Sequence, residues 1–190
     1  MKNQIITLLF ISIVLVTGCK PSREKSVSRI NVMEKSLFSP DVVSFNREKS
    51  DSLVAFYMEF IKEYPQDSLS AGYVFKAANL AMNAGDGKKA LVFFDQYIQE
   101  YPDKPKAAMC MFFKAFVYEN LMHDLDKARE TYTIFIEKYP SNDFTKDAKL
   151  ALQNLGKTPE MIVREFEAKA KADSARRADS LAKMKKTKKW

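Results

Sequence analysis

The chain has 190 residues, with 31 Lys and Arg against 24 Asp and Glu, a formal charge of +7 and 46% apolar content. One His and two Cys cannot build a His-based or Cys-rich metal cluster, and Gly85-Asp86-Gly87-Lys88-Lys89 lacks phosphate-loop spacing, so no catalysis, metal or cofactor is expected. The charge is lopsided: Arg164 to Trp190 holds ten Lys/Arg and four Asp/Glu, +6 of the +7, so the basic balance describes a tail rather than a domain.

In chain order, Met1-Lys2-Asn3-Gln4 is a short positive start, and Ile5 to Val16 is an uncharged apolar stretch. That stretch falls short of the roughly 20 apolar residues that span a bilayer, and matches the h-region of a secretory signal. Its end, Val16-Thr17-Gly18-Cys19, resembles a bacterial lipobox. The resemblance implies a lipoprotein signal peptide over 1–18, with Cys19 carrying a thioether-linked diacylglycerol and further acyl chains such as palmitate. Lys20 follows in place of the Asp that favours the inner membrane, which points to an outer-membrane anchor facing the periplasm. The alternative is an ordinary signal peptide in which Cys19 is incidental.

Residues 19–45 read as the lipidated N-terminus and a tether. Positions 20–30 are polar, Ile30 to Phe38 can form a short helix, and Ser39-Pro40 is a break or a new start. A helix over Arg47 to Glu63 carries Leu53, Val54, Phe56, Tyr57, Phe60 and Ile61 at 3–4-residue spacing. Two helix pairs follow. Ser70 to Ala84 and Lys88 to Glu100 are joined by Gly85-Asp86-Gly87, and Pro105 to Met122 and Leu125 to Lys138 are joined by His123-Asp124. Asn142 or Asp143 caps a helix to about Leu155, closed by Gly156. Thr158-Pro159-Glu160 then starts a helix beginning with Met161, Ile162, Val163 and Phe166. Residues 157–190 read as a capping helix running into a basic tail.

Three segments repeat: Phe60-Ile61-Lys62-Glu63-Tyr64-Pro65, Tyr97-Ile98-Gln99-Glu100-Tyr101-Pro102 and Phe135-Ile136-Glu137-Lys138-Tyr139-Pro140. Such a period marks stacked helical repeats, each closed by a Pro that disfavours α geometry at the preceding Tyr. The pattern over 46–156 resembles tetratricopeptide repeats. Ala78, Ala90, Phe94 and Pro102 fit the small, small, aromatic and proline positions of one unit, and Ala115, Ala128, Tyr132 and Pro140 those of the next, with one extra residue in its turn. Tyr57 fills the aromatic slot of the unit ending at Pro65. Tyr97 and Phe135 are large where a small residue is usual, and Lys114 interrupts an apolar stretch. The fold class is therefore all-α, a short TPR-like α-solenoid of antiparallel helix pairs with a C-terminal basic helix.

The Tyr-Pro variant, Tyr118-Glu119-Asn120 and Leu155-Gly156-Lys157-Thr158-Pro159-Glu160 also resemble small TPR lipoproteins of two-membrane bacteria. They are similar in style to the TPR lipoprotein of the outer-membrane β-barrel assembly machine and to the TPR domain of the Tol–Pal accessory protein. The chain has fewer repeats than the first and lacks the coiled coil of the second. The resemblance implies a non-catalytic scaffold for outer-membrane or envelope protein assembly, holding a partner peptide or helix in the concave groove. Projected onto this sequence, the groove residues are Phe75, Asn79, Met82 and Asn83 in one repeat and Met109, Phe112, Phe116 and Asn120 in the next. Met and Phe make an adaptable apolar surface, and the same residues can instead pack between helices. Cys110, inside an apolar run, reads as core, and His123 as a solvated turn residue. The tail either frays in solvent or serves as a charged arm toward anionic lipid or cell wall, the basis of an alternative reading as a structural envelope lipoprotein. Export argues against nucleic acid.

Overall fold

A computed structural model describes residues 21–39 and 45–187, apart from the side chains of residues 182 and 185–187. The segment read as a signal peptide, Cys19 and Pro40 lie outside the described residues. Within them the chain forms eight helices and no strand: α1 (Arg23–Phe38), α2 (Arg47–Glu63), α3 (Ser70–Asn83), α4 (Gly87–Glu100), α5 (Ala107–Asn120), α6 (Leu125–Lys138), α7 (Thr145–Asn154) and α8 (Pro159–Thr187). From α1 to α7 each helix packs on the next, as a stack of helix pairs requires. No helix among the described residues is long and apolar enough to cross a membrane.

The pairs are closed by the chemistry the sequence announces. Asn46, Asp86 and Asp124 cap α2, α4 and α6, each accepting from the backbone N–H three residues on at 2.8, 3.0 and 3.0 Å. At the end of α3, the N–H of Asp86 reaches the Ala81 carbonyl and that of Gly85 the Met82 carbonyl, the double closure that needs a left-handed residue; Gly85 supplies it at φ 75°. In the α5–α6 turn, which is one residue longer, His123 takes the positive φ at 54°.

The turns between pairs repeat as well. Ser70 Oγ donates to the Tyr64 carbonyl at 2.6 Å, and Thr145 Oγ1 to the Tyr139 carbonyl at 2.7 Å. Asp67 and Asn142 accept from the N–H two residues on, at 2.9 and 3.0 Å. Lys104 and Ala107 occupy those places in the middle turn, which keeps only the backbone bonds from Lys104 to Tyr101 and from Ala107 to Lys104. Asn142 therefore pins the turn rather than capping the helix, and α7 begins later than read, at Thr145. Likewise α5 begins at Ala107, two residues after Pro105.

The core falls into two clusters. One joins α1 to α4 with Ala107, Cys110 and Val117 of α5; the other joins Ala108 and Ala115 of α5, Ala128, Tyr132 and Phe135 of α6, and Ala148 of α7. Tyr97 and Phe135, large at small positions, are fully enclosed, and each lies beside the Tyr of its own Tyr-Pro end, at 5.5 and 5.6 Å between ring centroids. Burial pushes the Cys110 thiol up to about 12, as befits a core residue. Lys114 reconciles its charge with its position by pairing with Asp95 at 2.6 Å.

Two expectations are corrected. The polar stretch 20–30 is not a tether, because it is helical from Arg23 onward. Val27, Ile30, Met33 and Leu37 recur at 3–4-residue spacing and pack on the first core cluster, so α1 is the missing partner of α2. Arg23 and Asp67 form a two-bond ion pair that ties the start of α1 to the turn before α3, and the guanidinium holds the Asp67 carboxyl below the usual carboxylate range. The second correction concerns α8. It does not cap the stack; Met161, Ile162, Val163 and Phe166 are all exposed, and Phe166 retains 74% of its surface. The reason lies at the crossing positions. The earlier pairs place buried alanines there, Ala78 with Ala90 and Ala115 with Ala128. The same places in α7 and α8 hold Gln153 and Ile162, which keep two helix backbones apart.

Candidate functional site

The groove positions read from the sequence lie on α3 and α5, which with α1 are the first helices of the pairs. Between α1 and α3 lies an open depression of 400 Å³ lined by Glu34, Phe38, Tyr57, Phe75, Lys76, Asn79, Leu80 and Asn83. Three of the four residues expected from α3, namely Phe75, Asn79 and Asn83, thus meet in one hollow. Met82 does not line it; its half-buried side chain packs against the first core cluster.

The floor of the hollow is a fixed polar network. Glu34 Oε1 accepts from the Tyr57 hydroxyl and from Lys76 Nζ, each at 2.7 Å. Tyr57 is fully buried and stacked on Tyr73 at 5.0 Å and 19°. Its enclosure first, and the Glu34 carboxylate second, push its phenol far above the usual tyrosine value, so it remains a donor. Asn79 Nδ2 donates to the Phe75 carbonyl at 2.8 Å, which holds the amide at the rim of the hollow. On the far side, Lys106 Nζ stands 4.1 Å from the centroid of Phe75, whose ring also meets Tyr97 edge-on at 6.2 Å. A basic group over an aromatic face, amides on the rim and the exposed ring of Phe38 together offer apolar contact with a few directional hydrogen bonds.

The α5 positions separate. Asn120 and Phe116 are exposed, and Asn120 Nδ2 donates to the Phe116 carbonyl at 3.0 Å, repeating the Asn79 arrangement one helical turn later. Met109 is half-buried. Phe112 packs on the second core cluster: its ring stacks on Phe144 at 4.9 Å and 25° and lies 5.8 Å from each of Tyr132 and Phe135. Phe112 is the repeat partner of Phe75 and is half-buried like it, but its ring stacks on Phe144 of the turn before α7, whereas Phe75 lines the hollow. The hollow's α1 members, Glu34 and Phe38, were missed because α1 itself was read as part tether. The signal that could have found them is the Val27, Ile30, Met33, Leu37 stripe.

No group of His, Cys, Asp and Glu among the described residues is arranged to hold a metal ion. The tetratricopeptide repeat model matches residues 74–104 and 108–142, which cover most of α3 with α4 and all but the first residue of α5 with α6. No curated protein matches the chain. The matched pairs are repeats of a non-catalytic, protein-interaction kind, and the chain presents them as an interaction scaffold.

Proposed function

We propose that this chain is a lipid-anchored scaffold of the cell envelope, held in the outer membrane through Cys19 and facing the periplasm, where it supports the assembly of envelope proteins. The observation that carries the binding half of this reading is the hollow between α1 and α3, where Phe38, Phe75, Asn79 and Asn83 surround a rigid Glu34–Tyr57–Lys76 floor. A helix or extended peptide laid across it would bury an apolar side chain against Phe38 and Phe75 and bond to the rim amides. The anchoring half rests on the order of positive start, apolar run, small pair and Cys in residues 1–19. The test is a pull-down from crosslinked envelopes with the tagged chain, its Cys19→Ala variant and its Asn83→Arg variant. Membrane fractionation lost with Cys19→Ala, and a partner protein lost with Asn83→Arg, support the two halves separately. Fractionation unchanged by Cys19→Ala overturns the anchor, and partners indifferent to Asn83→Arg overturn the groove.

A further inference from the structure

The fold takes hold of the chain at Pro21. Its carbonyl accepts the Tyr64 hydroxyl at 3.2 Å, and both oxygens of Asp67 hold Arg23. Ser22 caps α1 by accepting from the Lys25 N–H at 3.4 Å, and Val27 and Ile30 pack in the first core cluster. Pro21 is thus fixed at one corner of the stack, where α1 starts, α2 ends and the turn before α3 passes.

Between that corner and Cys19 stands a single residue, Lys20. Two residue steps span at most about 7 Å, however they are arranged. A diacylglycerol on Cys19 puts that residue at the depth where acyl chains meet head groups, and the head-group layer is itself about 5–8 Å deep on each side of a bilayer. Crossing it takes up the whole link. A tether over 19–45, as the polar sequence suggests, would instead reach up to roughly 90 Å.

Charge does not draw the corner to lipid. Lys25, Lys62 and Lys104 stand against Glu24, Glu63 and Glu100, and Arg23 is matched by Asp67. A balanced surface gains little from anionic head groups, so contact with them comes from the covalent link and not from affinity of the surface itself.

We propose that the repeat stack has no stand-off from the membrane: the corner formed by Pro21, Tyr64 and the turn 65–68 lies against lipid head groups, held there by the two-residue link to Cys19. This rests on the acylation of Cys19 proposed above, and adds to it where the folded part sits. It also sets the reach of the hollow. α1 rises about 22 Å from Arg23 to Phe38, so the rim stays within about 35 Å of the acylated residue, link included. A partner enters the hollow only inside that shell.

The test uses the full acylated chain, added to preformed vesicles of phosphatidylethanolamine and phosphatidylglycerol that carry a head-group acceptor dye. A donor dye is placed at Gln66→Cys, an exposed position in the turn; Cys110 is fully enclosed and takes no label. Energy transfer then gives the distance of closest approach to the lipid surface. The natural link should hold the donor within about 20 Å of the head groups. A second chain carries twenty Gly and Ser residues inserted between Lys20 and Pro21, which should move the donor out by roughly 25 Å. Intact mass, read on the same samples, reports the acyl chains. An acylated chain whose donor stands at equal distances with and without the insertion, near or far, overturns the proposal and leaves the anchor standing. A mass without acyl chains overturns the anchor and this inference with it.

Discussion

Phe135→Ala tests whether stability is distributed along the stack or pooled in one core. The ring of Phe135 is fully enclosed, 5.8 Å from Phe112 and 5.6 Å from Tyr139, in the cluster that joins α5, α6 and α7. Truncating such a phenylalanine removes its transfer free energy and leaves a cavity, a loss of about 3–5 kcal/mol. A domain of this size is stable by about 5–15 kcal/mol in total, so the loss is a large fraction of the whole. In a stack each unit is stabilised by itself and its neighbours, and the cost should fall where the cavity is. Amide hydrogen exchange followed by mass spectrometry on the variant should show protection collapsing in α6 and α7 and the outer face of α5. Protection in α2 to α4, built on Leu53, Tyr57, Phe60 and Val74, should survive. Phe60→Ala, made in the first cluster, should reverse the pattern. An equal loss of protection in all helices for both variants would refute the division into two clusters, and a cost under about 1 kcal/mol would refute the packing of Phe135.

Alkaline pH should destabilise the chain through Tyr57 and Tyr132, whose folded phenols are raised by burial and by their bonds to Glu34 and Glu119. A raised folded value means the contribution is fully present below the unfolded tyrosine value of about 10 and is lost as pH climbs above it. Urea midpoints measured at pH 9 and at roughly pH 11 should therefore fall more for the parent than for the Tyr57→Phe, Tyr132→Phe double variant; parallel falls would contradict this. His123→Gly should stabilise by about 0.5–1 kcal/mol, because φ 54° strains any side chain, and a thermal melt that moves down instead would show that the imidazole makes an unrecognised contact. Ala115→Leu, at a fully enclosed crossing position of α5, should cost about 1–3 kcal/mol by overpacking, read from the same denaturation curves, and a neutral result would mean that α5 and α6 are not tightly crossed there.

Much of this fold is legible because the repeats write themselves in chemistry that sequence displays. Tyr-Pro stops, Asn and Asp caps, and alanines at crossings are local signals, and α2 and α6 lie where spacing alone places them. What stayed hidden depends on partners distant in the chain. Residues 20–30 look like a tether because Arg, Glu, Lys and Ser dominate them and the sparse Val27, Ile30, Met33, Leu37 stripe is their one sign of a buried side, which α2 and the Asp67 turn make plain. Met161, Ile162, Val163 and Phe166 look like a capping face because apolarity does not say whether a partner surface can come close, and Gln153 denies it. Phe75 and Phe112 are equivalent by repeat and equally half-buried, yet one borders a hollow and the other packs on the second core cluster and stacks on Phe144 beyond the second repeat. Half of the hollow belongs to α1, so no reading of α3 and α5 alone could have drawn its outline.

The central claim, that the hollow between α1 and α3 receives a protein partner, is tested most directly by site-specific photocrosslinking in living cells. A photoreactive amino acid is placed at Asn83 on the rim of the hollow and, in a separate strain, at Val92, an exposed position on α4 that does not line it. The account predicts a discrete protein adduct from position 83 that is absent from position 92 and is abolished by Asn79→Arg in the same chain. Adducts of the same proteins from both positions, or adducts at 83 that persist with Asn79→Arg, would contradict it.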